Sequence, residues 1–86
     1  MDYKVVLPEK VARDLNRIPK KYRDQIFVAL KGLEKSPFLG KKLWGQYDKY
    51  RSLRVGEYRI IYQFKTSELV MLIIKVGTRQ RIYQYE

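Results

Sequence analysis

Three apolar, strand-like runs, Tyr50 to Val55, Tyr58 to Phe64 and Leu69 to Val76, are separated only by Gly56-Glu57 and by Lys65-Thr66-Ser67-Glu68. Connections this short cannot carry a crossover, so the runs must pair as consecutive antiparallel hairpins. The first turn is informative at the level of single residues. A two-residue Gly-Glu loop reads as type II′, with glycine at the position that needs positive φ, and that choice sets the register. Val55 then pairs with Tyr58 and Arg54 with Arg59. Because side chains alternate, Leu53, Val55, Tyr58, Ile60, Tyr62 and Phe64 share one face, which is apolar and reads as the core side. Ser52, Arg54, Arg59, Ile61 and Gln63 share the other.

The first half of the chain supplies the layer that covers the core side. Tyr3 to Leu7 reads as a short first strand ending at Pro8. Val11, Leu15 and Ile18 then recur at helical spacing, with Glu9 in the first turn. Pro19 opens a second helix whose apolar face comprises Tyr22, Ile26, Ala29, Leu30 and Leu33, and Ser36-Pro37 stops it. Phe38 to Asp48 reads as a loop, and Arg79 to Tyr85 as a last short strand or an ordered tail. The expected fold is α+β: an N-terminal strand, a helical hairpin, then an antiparallel sheet of three to four strands with the helices on one face. Eighty-six residues make one domain, residues 1 to 86, without a second core.

Composition narrows the chemistry. The chain has no Cys and no His, so disulfide staples, thiolate metal sites, catalytic triads and imidazole acid–base chemistry lack their side chains. No metal or cofactor is expected. A hydrophobic fraction of 45% is enough to offset ordering of the chain. The longest apolar run, Leu69 to Ile74, is too short to span a bilayer, and the N-terminus carries no signal-peptide pattern, so a cytoplasmic protein without membrane contact is expected. The net charge of +10 calls for a polyanionic partner.

The charge is concentrated where the register places it. Arg54 opposite Arg59 puts two guanidiniums side by side, which destabilises a sheet unless an anion lies across them; a phosphate matches their planar donor forks. A neighbouring carboxylate, Glu57 or Asp48, is the alternative counter-charge. Lys49 and Arg51, on either side of Tyr50, add cations to the same strand. At the C-terminus Arg79, Arg81, Tyr83 and Tyr85 recur at period two and point the same way if extended. Cations interleaved with rings suit a single-stranded nucleic acid, phosphates to the former and bases to the latter. Tyr83 and Tyr85 as cover for a sheet edge is the plainer reading. Trp44 is expected to pack its loop onto the domain, and Lys20-Lys21-Tyr22-Arg23 to form a solvated helix face.

The stretch Tyr50-Arg51-Ser52-Leu53-Arg54-Val55-Gly56-Glu57-Tyr58-Arg59-Ile60-Ile61-Tyr62, followed by Val76-Gly77-Thr78-Arg79, closely resembles the RelE/ParE superfamily of bacterial and archaeal toxins. The hairpin beginning Pro8-Glu9-Lys10 and the Ser36-Pro37 stop fit as well, so the resemblance covers nearly the whole chain. It implies a RelE-like toxin of a type II toxin–antitoxin system: a ribosome-dependent mRNA interferase, acting on mRNA in the ribosome and neutralised by a cognate, RelB-like antitoxin. The carried-over catalytic set is Arg59, Arg79 and Tyr85, with Arg54 close by and Tyr83 a near competitor for the tyrosine. Lys49, Arg51, Arg81 and Tyr83 are the RNA-binding candidates. The chain departs from the pattern before the turn, where RelE has two alternating lysines and this sequence has Lys49, Arg51 and Ser52-Leu53-Arg54. It also lacks the histidine–glutamate pair of other relatives. ParE-like gyrase poisoning and a non-catalytic RNA- or antitoxin-binding role are the alternatives.

Attack of a 2′-OH on the adjacent phosphate needs a base, an acid and stabilisation of phosphorane charge. Arginines supply the last and cannot supply the first, because a guanidinium stays protonated. The proton carriers are therefore sought in Tyr85, Tyr83 or Lys49.

Overall fold

A computed structural model describes residues 2–45 and 49–78. Along the chain lie β1 (Lys4–Val6), α1 (Glu9–Asn16), α2 (Lys20–Lys35), β2 (Lys41–Lys42), β3 (Arg51–Val55), β4 (Tyr58–Lys65) and β5 (Val70–Thr78). They form an α+β fold in which one five-stranded sheet runs in the order β1-β5-β4-β3-β2. The sheet thus has five strands, against the three to four expected.

Pro8 and Pro19 stand at the N-caps of α1 and α2 with φ of −59° and −52°, close to helical φ but with extended ψ, so each kinks the chain into its helix. Val11 and Leu15 of α1 and Ile26, Leu30 and Leu33 of α2 pack with Ile60, Tyr62, Met71, Ile73 and Val76 of the sheet. Leu53, Val55, Tyr58 and Phe64 lie partly buried against this cluster, on the side that alternation assigns to them. Full burial of each aliphatic side chain contributes about 1.5–3 kcal/mol.

The β3–β4 hairpin has the expected register, Val55↔Tyr58 and Arg54↔Arg59. Gly56 has φ of 62°, while Leu69 is the sole non-glycine residue with positive φ among those described. Glu57 therefore has negative φ, which is the type II′ combination and excludes type I′. The second turn carries no glycine, and Leu69 takes φ of 52° there instead, a conformation costing about 1–2 kcal/mol. Its carbonyl accepts the Lys4 N–H at 2.7 Å, tying the turn to the N-terminal strand.

Two features depart from the sequence reading. The Phe38–Asp48 segment is not all loop: Lys41↔Ser52 and Lys42↔Arg51 pair antiparallel, giving β2. Two consecutive lysines carry no strand signal; the edge of β3 imposes the extended form on them. The other departure is a bulge in β5. Ile61 pairs with Lys75 but Tyr62 with Ile73, so Ile74 is an extra residue. Strict alternation from Met71 and Ile73 would bury Lys75; the inserted residue switches parity, burying Val76 and leaving Lys75 level with Ile61 on the other face. β1 lies parallel to β5, with Lys4↔Val70, Val5↔Met71 and Val6↔Leu72. No helix among the described residues is long and apolar enough to cross a membrane.

Candidate functional site

The sheet face away from the helices carries the arginine pair. Arg54 and Arg59 face each other beside the Gly56 turn, and Gly77 of β5 is the next residue across from Arg59. Glycine contributes no side chain, so Arg59 has no side-chain neighbour in register on β5. Arg54 is exposed and its Nε donates to the Gly56 carbonyl at 3.1 Å, while Arg59 is half-buried. The ion pairs among the described residues are Arg13–Glu9, Lys20–Asp24 and Lys65–Glu68. No described carboxylate pairs with either arginine, Glu57 included; Asp48 lies outside the described residues.

Two residues further along the strands, about 7 Å away, lies a second row: Lys41, Ser52, Ile61 and Lys75. Its centre is closed, since Ser52 and Ile61 are each 5% exposed. The Ser52 Oγ is buried without a hydrogen-bond partner among the described residues, a state that costs about 1–3 kcal/mol. Sequence reasoning missed this row. The sequence pattern places Lys41 in a loop, and the bulge in β5 brings Lys75 to this face.

Arg51 is not part of this face. It shares parity with Leu53 and Val55, and its guanidinium lies 5.0 Å from the Phe38 ring centroid and 5.9 Å from that of Phe64. Its Nη1 donates to the Gly40 carbonyl at 2.7 Å. The same glycine donates its N–H to the Tyr62 hydroxyl at 2.8 Å, and that hydroxyl donates to the Pro37 carbonyl at 2.6 Å. A Cβ on Gly40 would stand 2.5 Å from the Tyr62 oxygen, so only glycine fits. Burial pushes the Tyr62 phenol above its ordinary value, against the opposing pull of the Gly40 hydrogen bond and the nearby Arg51 charge. The alternation that places Arg51 here was available from the sequence; counting it as a cation on the strand overlooked its parity.

Lys49 is exposed in the turn before β3 and is not brought against the arginine pair by any hydrogen bond or ion pair among the described residues. Arg79, Arg81, Tyr83 and Tyr85 lie outside the described residues. Trp44, expected to pack, is 79% exposed. Lys20 and Lys21 lie on an exposed helix face, as expected. A cleft of about 490 Å³ runs between α1 and the β5 edge, lined by Lys10, Asp14, Arg17, Tyr58, Lys75 and Thr78 among others. Among the described residues, no three acidic side chains converge on a point that could hold a metal.

Residues 5–83 match the family model described as the ParE toxin of the type II toxin–antitoxin system, parDE. The mRNA interferase toxin RelE of Escherichia coli (strain K12) is 30% identical over 87 residues, spanning 99% of this chain and 92% of that protein. Among solved structures, a RelBE toxin–antitoxin complex from Mycobacterium tuberculosis superposes with a TM-score of 0.83 at 26% identity, covering 92% of this chain and all of the matched one. The archaeal RelE–RelB complex from Pyrococcus horikoshii gives 0.79 at 30% identity, covering 94% and 99%.

Proposed function

Since the chain belongs to the ParE family of type II toxins, within the RelE/ParE superfamily, we propose that it is a RelE-type mRNA interferase, an endoribonuclease that cleaves mRNA on the ribosome and so inhibits translation. The observation that carries this reading is the pair Arg54 and Arg59, held side by side on the open sheet face with no described carboxylate to neutralise them. Two like charges in adjacent positions weaken a sheet. A fold keeps them where an anion crosses both, and a phosphodiester presents its charge in the form their donor forks match.

In the proposed reaction a ribose 2′-oxygen attacks its own 3′-phosphate and the 5′-oxygen of the next nucleotide leaves, without a metal. Arg59 and Arg54 hold the phosphate and offset the charge that develops on its non-bridging oxygens. Arg79 and Tyr85 join them from the C-terminal segment, with Lys49, Arg51, Arg81 and Tyr83 as the RNA-binding candidates of the sequence. Among these, Arg51 is better assigned to holding Gly40 than to touching RNA. Tyr85, Tyr83 or Lys49 carries the proton, and the ribosome supplies the alignment that a site without histidine cannot create alone. The protein is cytoplasmic, folds as one domain over residues 1 to 86, and has a RelB-like antitoxin as its cognate partner, in keeping with the RelB-bound states of its structural relatives.

The test is tightly controlled expression with mapping of mRNA 5′ ends. Wild type should cut inside translated codons, and Arg59→Ala and Arg79→Ala should cut nothing while remaining folded; full cleavage by both variants sinks the assignment. A second reading is the gyrase poisoning that the resemblance to ParE-like toxins implies, in line with the ParE toxin family model that residues 5–83 match. It requires intact mRNA and accumulation of cleaved DNA in the same cells.

A further inference from the structure

The row Lys41–Ser52–Ile61–Lys75 lies one side-chain step beyond the arginine pair on the same face, and nothing in the core requires a cation at its β2 end. We propose that Lys41 is a further RNA-binding residue, holding the phosphate next to the one that crosses Arg54 and Arg59; this rests on the RNA-cleaving reading of that face.

Three observations carry it. First, the β2–β3 register places Lys41 directly opposite Ser52, and directly paired residues share a face, so Lys41 stands on the arginine side while its neighbour Lys42 does not. Second, its position is pinned. Gly40, the residue before it, donates its N–H to Tyr62 and accepts Arg51 at its carbonyl. A two-residue edge strand has little hold of its own, and these two hydrogen bonds fix the backbone from which Lys41 projects. Third, Lys41 is exposed while Ser52 opposite it is buried, so at the β2 end of the row the lysine is the group that reaches solvent.

The spacing suits an extended strand. Rows two residues apart are about 7 Å apart, the scale that separates neighbouring phosphates on an unpaired chain. RNA crossing Arg54 and Arg59 and continuing toward β2 would bring its next phosphate over Lys41. An edge lysine also guards a sheet against pairing with another chain; that role predicts aggregation on removal of the charge and no effect on RNA.

The experiment measures binding of the purified full-length chain to a fully 2′-O-methylated single-stranded oligoribonucleotide, which cannot be cut, across a range of salt concentrations. Each phosphate contact on a single strand contributes about 0.7 to the slope of log affinity against log salt. Lys41→Ala should lower that slope by about 0.7 and weaken binding several-fold, Lys41→Arg should restore both, and Lys31→Ala, an equal loss of charge on the exposed side of α2, should change neither. An unchanged slope in Lys41→Ala, or an equal drop in Lys31→Ala, overturns the inference. If Arg59→Ala lowers the slope and Lys41→Ala does not, the arginine site stands and the Lys41 inference alone falls. A wild type that binds the oligonucleotide at no salt concentration overturns the inference and the RNA reading together. A wild type that binds but cuts no mRNA overturns the cleavage reading, while the Lys41 slope still decides the inference.

Discussion

Arg51 and Arg54 are three residues apart on one strand and have opposite surroundings. On the helix side, Arg51 finds a carbonyl and two aromatic rings, and every group it touches is improved by its charge. On the open side, Arg54 faces Arg59, and the nearest hydrogen-bond acceptor it reaches is the carbonyl of its own turn. The comparison teaches that an arginine's chemical type says little about its task. One guanidinium is satisfied by the fold and belongs to stability; the other is left partly unsatisfied and is available to a ligand.

Substitutions can break this contrast, beginning where the fold has least room. Gly40→Ala should be the most damaging to the helix side, because the new methyl would collide with the fixed Tyr62 ring; a loss of about 1–3 kcal/mol is expected in chemical denaturation. Tyr62→Phe should follow, at about 1–2 kcal/mol, since it leaves the Gly40 N–H and the Pro37 carbonyl without their partner. It also carries a pH signature. Burial raises the Tyr62 pKa, so the folded chain keeps a proton that the unfolded chain releases near pH ~10. The stabilisation from this group is complete below that value and is lost as the pH rises through the raised one. Wild type should therefore lose stability more steeply with pH above about 10 than Tyr62→Phe does; identical slopes would refute the burial argument.

Arg51→Lys keeps the charge but loses the planar stack and the directed donor, so about 1 kcal/mol of stability should go while the salt dependence of RNA binding stays. The smallest effect has the opposite sign. Arg54→Gln should gain about a few tenths of a kcal/mol by relieving its repulsion with Arg59, screened because Arg54 is exposed, and should at the same time lose mRNA cleavage. A variant that is more stable and less active would mark the open face as one kept for function; loss of both would place Arg54 with Arg51 after all.

The legible parts of the molecule were those written in local sequence. Gly56-Glu57 specifies the turn, the turn specifies the register, and the register brings Arg54 opposite Arg59. The helices followed from proline positions and apolar spacing. What stayed hidden depended on distant partners. Lys41-Lys42 becomes a strand because β3 lies beside it, and no feature of two lysines announces that. The Ile74 bulge changes which residues of β5 face which way, so alternation counted from the apolar run misplaces Lys75. Trp44 was expected inside on the area an indole can bury, yet it projects outward, because Leu43 pairs with Tyr50 and the chain then turns at Gly45. Of the candidate site, the Arg54↔Arg59 register is legible in the sequence and the place of Lys41 opposite Ser52 is not.

The parallel contact between β1 and β5 has a consequence for how the protein comes into being. Lys4 and Val70 stand side by side in the parallel register, with the Lys4 N–H on the Leu69 carbonyl, but both helices and three strands separate them along the chain. A hairpin closes over a few residues in microseconds, whereas this pair must wait for a long loop to close. During translation β1 has no neighbouring strand to join until β5 has emerged. The β3–β4–β5 meander and its charged face can then form ahead of the edge that completes the sheet, and the N-terminal strand is the natural last step of assembly.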